Sequence, residues 1–496
     1  MAELHQLTSS DAAMLFLETP DTPNHIAPLI ICDQSTVPGG TTLRLRQIKA
    51  KMERALDGAP NFRRRLVRPP LDIDNPYWVD DPNFDLDFHL RHLALPEPGD
   101  WRQLSIQVAR LLSRSLDPNR PLWEMYVIEG LDRVVDLPPG AFAVLLKIHH
   151  AMMDGMGAMS LMDGMFDRSP LQPPEPSAAK WRPQPGPHMT EIISRGWLNA
   201  GLRFSKIGVR LNALAAKAVR ERLSGPTEES PIPANAVPKT PFNGPLTPAR
   251  VYDLKQYPLK RIKSLRSLVP GSTVNDVGLA LITGALRRYL IGRNALPADN
   301  LICAVPVSIR SEASRNKPAG NEISAIYTPI PTGTEDPLER LRLIAAQMAQ
   351  QKVLDRALSA RSLVDLTSEL PGTMGGLISR GMTAIGDRRG RALIANTLVT
   401  NVPGMSAPMY FCGARIVNIV GGGPCVTNMG LIHLIGSYCD LFNINVVGCR
   451  DLVPDIGFYM ECVEDSVAEY FDLYAALVGH DVTSSPVSRR TKKKAL

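Results

Sequence analysis

The sequence predicts an α/β protein built as two similar layered halves with a cleft between them. Three observations carry this. The chain has 496 residues, more than one hydrophobic core ordinarily supports at about 100–200 residues per domain. Strand-like and helix-like stretches interleave in both halves, the pattern of sheets covered by helices. Two proline-rich stretches, with seven Pro in 169–188 and seven in 225–248, punctuate the middle and read as irregular or extended segments. The expected division is an N-terminal domain at 1–168, a linker at 169–245, a C-terminal domain at 246–480 and a basic disordered tail at 481–496.

In the first half, 106–117 reads as a helix, and Met125–Glu129 and Phe142–Ile148 as strands. Between the proline clusters, 189–224 lacks proline and reads as one long helix. Its apolar positions alternate by three and four through Ile193, Trp197, Ala200, Phe204, Ile207, Leu211, Leu214 and Ala218. Seven basic residues against Glu191 and Glu221 give that helix a net +5. It is either a connector docked by its apolar stripe or a basic amphipathic helix at a lipid surface. In the second half Thr273 reads as an N-cap, with Asp276 in the first turn of an apolar helix reaching Tyr289. Leu301–Val307 and Leu441–Val447 read as strands, and Pro337–Lys352 as a helix.

Composition removes whole classes. With 44% hydrophobic and 21% charged residues, the chain is not disordered as a whole. Of the net +6, residues 481–496 hold +4, so the rest lacks the basic footprint of a nucleic-acid binder. The tail reads as a solvated end or as an attachment to anionic lipid. Seven Cys without a C-x-x-C pair suit a reducing compartment; the five from 412 to 462 fall in segments that read as buried strands. The N-terminus lacks signal-peptide patterning and no run of 18 apolar residues occurs, so a cytoplasmic protein, at most peripheral at a membrane face or lipid droplet, is expected.

The chemistry lies in Lys147-Ile148-His149-His150-Ala151-Met152-Met153-Asp154-Gly155. An apolar strand runs straight into two adjacent His, and neighbouring side chains on an extended segment point to opposite sides. One imidazole can therefore face a cleft while the other bonds inward. Asp154 followed by Gly155 is suited to fixing the loop that presents them. At this chain's composition the pattern H-H-x-x-x-D-G arises by chance roughly 0.0006 times. His150 and Asp154 could also be two ligands of a metal, but the other seven His supply no third-ligand pattern. The Met-rich stretch Met152, Met153, Met156, Met159, Met162 and Met165 suits either a channel wall or core packing.

With these residues in view, the chain resembles the bacterial wax ester synthase/diacylglycerol acyltransferases, within the HHxxxDG superfamily of CoA-dependent acyltransferases. The likeness runs over about 1–475. Leu7 to Glu18 with Asn24-His25 resembles the family's opening block. Pro121-Leu122-Trp123-Glu124 resembles its PLW segment and Asn275-Asp276 its ND motif. Pro306 to Arg310, Gly320-Asn321, Asn401-Val402-Pro403-Gly404 and Gly436-Ser437-Tyr438 follow in order. Two positions depart: Met405 stands where a second Pro is common, and Gly278 where a larger apolar residue is common. Both bear on the shape of a pocket wall.

The resemblance implies two chloramphenicol-acetyltransferase-like α/β sandwich domains with the active-site tunnel between them. It implies His150 as general base, His149 as its inward-facing partner and Asp154 as a structural, ion-paired residue. Asn275 is the candidate donor to the oxyanion, a backbone N–H being the alternative; it could equally be only a helix-start residue. Trp123 reads as a packing anchor or a substrate contact, Asn401 and Gly404 as turn-formers or contacts. The implied partners are acyl-CoA as a substrate, with no cofactor, and a fatty alcohol or diacylglycerol. Two alternatives stand beside this: a condensation-type acyltransferase whose donor sits on a carrier protein, and a catalytically silent lipid-surface protein.

Overall fold

The computed structural model describes residues 5–40, 43, 45–152, 155–171, 181–202, 237–308, 323–357 and 394–478, with positions 377, 381 and 385 between the last two spans. Met153, Asp154, all of 203–224, Ile309-Arg310, Gly320-Asn321 and the tail 481–496 lie outside them.

In chain order the first half runs β1 (His5–Gln6), α1 (Ser9–Leu17), β2 (His25–Asp33), α2 (Leu45–Asp57), β3 (Arg64–Val67), β4 (Tyr77–Asp80), α3 (Leu86–His89), β5 (Leu90–Ala94), α4 (Trp101–Leu112), β6 (Trp123–Glu129), β7 (Phe142–His149), α5 (Gly155–Met165) and β8 (Phe166–Asp167). A helix over 189–202, α6, follows. The second half runs β9 (Arg250–Pro258), α7 (Leu259–Ser264), α8 (Val274–Gly292), β10 (Leu301–Ser308), β11 (Ile323–Ile330), α9 (Pro337–Ala357), β12 (Thr397–Val402), β13 (Tyr410–Phe411), β14 (Ala414–Gly422), β15 (Leu431–Tyr438), β16 (Leu441–Cys449) and α10 (Ile456–Val478).

The strands form two principal sheets. One has seven strands in the order β5-β6-β7-β2-β14-β13-β8, the other six in the order β11-β10-β12-β15-β16-β9. The linker separates them with one exception: β13 and β14 come from the second half yet complete the first sheet, β14 lying antiparallel to β2. The crossing strand stays tied to the sheet it left. Asn418 on β14 donates to Gln256 Oε1 on β9 (3.0 Å) and Asn443 Oδ1 on β16 (3.0 Å). Buried amides that satisfy one another hold a crossing in register, since an unpaired one would cost about 1–3 kcal/mol.

Element ends follow local chemistry. The first-half helix starts at Trp101 rather than 106, because Asp100 caps it: its carboxylate accepts from Gln103 N (3.0 Å). It stops at Leu112, short of the expected 117. α8 is capped as expected by Thr273, which with Asp276 forms a reciprocal capping box. Of the five Cys expected in strands, only Cys449 lies in one. Cys412 and Cys439 sit in left-handed turns, Cys425 follows β14, and Cys462 is on α10; no disulfide joins the seven Cys.

Within α6 the apolar stripe read from the sequence is buried only in part. Ile192 and Ala200 are buried, and Gly196 leaves room for Ile73 against the helix. That packing turns Trp197 outward, 65% exposed beside Leu198 and Leu202.

The second core holds a buried imidazole that makes stability depend on pH. His433 bonds Tyr459 (2.5 Å) and Thr397 (3.2 Å), and burial drives its pKa down to about 3. Between about pH 6.5, where an exposed imidazole titrates, and about 3, the unfolded chain binds a proton that the folded chain refuses. The unfolding free energy should therefore fall by about 1.4 kcal/mol per unit decrease in pH from this residue. Buried His25, also held well below the ordinary value, acts in the same direction. Urea unfolding at about pH 7 and pH 5 checks this; equal stabilities would contradict it.

Candidate active site

The His pair sits where β7 ends. His149 is the last strand residue and His150 opens a short 3-10 turn through Met152. Each backbone N–H is pinned by a different segment. His149 N donates to the Leu122 carbonyl (3.0 Å) and His150 N to the Asn24 carbonyl (3.0 Å). Asn24 is itself fixed, its Nδ2 donating to the Met14 carbonyl (2.7 Å). Two motif segments far apart in sequence thus clamp the turn from either side.

Strand alternation gives the two rings different surroundings. Ala143, Leu145, Lys147 and His149 share one face of β7, and the first two pack with α4 residues Leu104, Val108 and Leu112. Val144, Leu146 and Ile148 share the other, and their core includes Ala151, Met152, Leu161 and, from the second half, Tyr438. Met405, Met409 and Cys439 pack against that same core. The turn carrying His150 is thus built into the core that the second half also enters.

His149 is fully buried, and its tautomer is set by two bonds. Ala151 N donates to Nδ1 (3.0 Å), which must then accept, so Nε2 carries the proton and donates to Glu18 Oε2 (2.8 Å). Burial alone would raise the Glu18 carboxyl, but the hydrogen bond from His149, joined by bonds from Ser115 and the Asn24 backbone, prevails and holds it below its ordinary 4.5. Glu18 stands just past the end of α1. For His150, burial and then the neighbouring His149 hold the ring below the ordinary 6.5. At neutral pH it is a neutral imidazole able to take a proton. Behind the pair, buried His25 lies directly across β2 from His149.

Other expected residues fall as follows. Asn275 is half-buried in the first turn of α8, in the second half, and takes no part in the cap, which Thr273 and Asp276 make. Trp123 is a packing anchor: wholly buried, it donates from Nε1 to the Phe62 carbonyl (2.7 Å) and stacks on His89 at 4.6 Å. Removing such a ring costs about 3–5 kcal/mol. Asn401 is exposed on β12, and Gly404 is pressed so close to the Ser437 carbonyl that no side chain fits. Met152, Met162 and Met165 pack in the first core. A Cβ at Gly278 would stand 2.6 Å from Ile435 Cδ1, so this glycine lets α8 settle on β15. Sequence reasoning gave no role to Glu18, Asn24, Lys147 or Glu124. The legible signal was a lone Lys in the otherwise apolar run FAVLLKI. Among the described residues no helix is long and apolar enough to cross a membrane.

Comparison with known proteins bears on the family and the fold. The model of the wax ester synthase/diacylglycerol acyltransferase catalytic domain matches residues 7–278, and that of the C-terminal domain of the same proteins matches 319–470. Putative diacylglycerol O-acyltransferase Rv1760 of Mycobacterium tuberculosis is 34% identical over 458 residues, covering 92% of this chain and 88% of the relative. Among solved structures, the wax ester synthase/diacylglycerol acyltransferase of Marinobacter aquaeolei VT8 superposes with a TM-score of 0.66 at 24% identity, over 95% of this chain and 100% of that one. The starter condensation domain of rhizomide synthetase RzmA superposes at 0.53 with 14% identity, over 94% of each chain. The two-domain α/β fold is thus shared with both.

Proposed function

Since the chain belongs to the wax ester synthase/diacylglycerol acyltransferase family, we propose that it transfers a long-chain acyl group from acyl-CoA to a diacylglycerol or fatty alcohol. The products are triacylglycerol or wax ester and free CoA. The observation that carries the reading is the division of labour in the His pair. His149 is locked to Glu18 on the rear face, while His150 stands in the turn beyond, a neutral ring at neutral pH.

The chemistry follows from that ring. An alcohol is a poor nucleophile at neutral pH, so His150 removes the hydroxyl proton as the oxygen attacks the thioester carbonyl. The tetrahedral oxyanion collapses, the C–S bond breaks, and the imidazolium returns its proton to the thiolate. No acyl-enzyme intermediate is needed. Asn275 is the proposed donor to the oxyanion, supported by its half-buried place outside the cap. Asp154 is assigned the part of tying down the loop. Holding donor and acceptor together supplies the remaining acceleration.

The test follows release of free thiol from palmitoyl-CoA, with no carrier protein present, in parallel with hexadecanol and with a diacylglycerol. Acceptor-dependent release, with ester found by chromatography, is expected. Release unaffected by either acceptor would contradict the reading.

The acceptors are water-insoluble, and the reading includes a seat at an anionic lipid surface. Its support is the outward Trp197, Leu198 and Leu202 on α6, followed in sequence by the basic stretch Arg203, Lys206, Arg210, Lys217, Arg220 and Arg222. The chain should sediment with phosphatidylglycerol vesicles more than with phosphatidylcholine vesicles, and Trp197→Glu with Leu198→Glu should abolish this. Undiminished sedimentation of that variant would remove the assignment.

A further inference from the structure

Lys147 is an anomaly of the fold. It is fully buried in the middle of the first sheet, two residues before His149 and on the same face of β7. Its Nζ donates to the Arg114 carbonyl, just beyond the end of α4, and lies 4.0 Å from Glu124 Oε2, the residue opposite it on β6. Glu124 is the hub of a further chain: Oε2 accepts from Tyr126 OH (2.5 Å) and Oε1 from Arg91 Nη2 (3.3 Å), the guanidinium reaching solvent. A buried ammonium is costly unless paired and hydrogen-bonded, and the acyl-transfer chemistry above gives it no task.

We propose that Lys147 is a positioning residue for acyl transfer, its buried positive charge holding the Glu18–His149 pair behind the base in working order. The charged and titratable groups around it come from every neighbouring element. They are Glu124 and Tyr126 on β6, Arg91 on β5, Arg114 after α4, Glu18 after α1, His25 on β2 and His149 on β7 itself. Burial pulls Lys147 down to about 8, while the fields of Glu124 and Glu18 hold it up and those of Arg114 and Arg91 press it further down. The ammonium is thus largely present at neutral pH and is lost not far above it. When it goes, Glu18 loses a nearby positive charge and Glu124 its cross-strand partner. The arrangement that turns the Nε2 proton of His149 toward Glu18 then loses its electrostatic support. The proposal rests on His150 as the base and adds an alkaline limit to its activity.

The experiment is the pH profile of kcat/KM for palmitoyl-CoA and hexadecanol, with the full chain, from about pH 6 to 10. The wild type should lose activity with a midpoint near 8. Lys147→Met, uncharged at every pH, should run about tenfold below the wild-type plateau and show no alkaline limb. Glu124→Gln, which removes the partner and preserves shape, should move the limb to lower pH and is the decisive variant should Lys147→Met fail to fold. A limb at the same pH in Lys147→Met or in Glu124→Gln, or a wild type flat across this range, would overturn the proposal. These results are separable from failure of the base assignment, which would instead show as an active His150→Ala enzyme.

Discussion

His150→Ala is expected to fold and to lose ester synthesis by about three orders of magnitude or more. General base catalysis by a positioned group contributes roughly 10²–10⁴-fold. In the proposed mechanism this imidazole both removes the alcohol proton and protonates the thiolate. The loss should fall on kcat, with little change in the KM for palmitoyl-CoA, because the ring acts on the acceptor's hydroxyl in the transition state. Folding should survive: His150 is only half-buried, and its backbone bond to the Asn24 carbonyl does not depend on the side chain. Circular dichroism and steady-state thiol release together check this, and a folded variant with wild-type kcat would refute the assignment.

The second large effect is expected at Glu18. Glu18→Ala strands the Nε2 proton of a buried imidazole, and a buried donor without an acceptor costs about 1–3 kcal/mol. Activity should fall by about 100-fold, because the ring beside the base is released from its fixed orientation. Glu18→Gln should lose about tenfold or less, since an amide oxygen can accept the same bond. The amide must turn its oxygen inward, because the N–H of Ala151 already holds Nδ1 as an acceptor. An Ala variant as active as the Gln variant would show that orientation of His149 is irrelevant. The pH dependence has a definite sign. The Glu18 carboxyl is held below its ordinary 4.5, so its contribution to stability is complete above that value and is lost as pH falls through the lower folded value.

Local chemistry was readable in the chain; contacts made across it were not. The HHxxxDG segment announces two rings on opposite faces because strand alternation is a property of adjacent residues. The bond that tells the two rings apart joins His149 to Glu18, 131 positions away, and nothing in the spacing of either segment points to the other. The Thr273 cap was legible because cap and partner are three residues apart. Asp100 offered the same signal, but the sparse apolar pattern after it hid the true helix start. Trp197 shows why periodicity alone does not decide a face. Apolar spacing left its stripe either docked or turned to a lipid surface, and Gly196, by bringing Ile73 against the neighbouring side of the helix, decides that Trp197 faces out. The crossing of β14 into the first sheet depends on pairing with β2, a register that no local pattern encodes.

The central claim is that one imidazole, His150, takes the proton during acyl transfer. It is tested most directly by measuring the acid limb of kcat/KM for palmitoyl-CoA and hexadecanol beside an NMR titration of the His150 ring in the same protein. The account predicts that the two midpoints coincide, below 6.5. A limb whose midpoint differs from that of the ring, or that persists in His150→Ala, would contradict it.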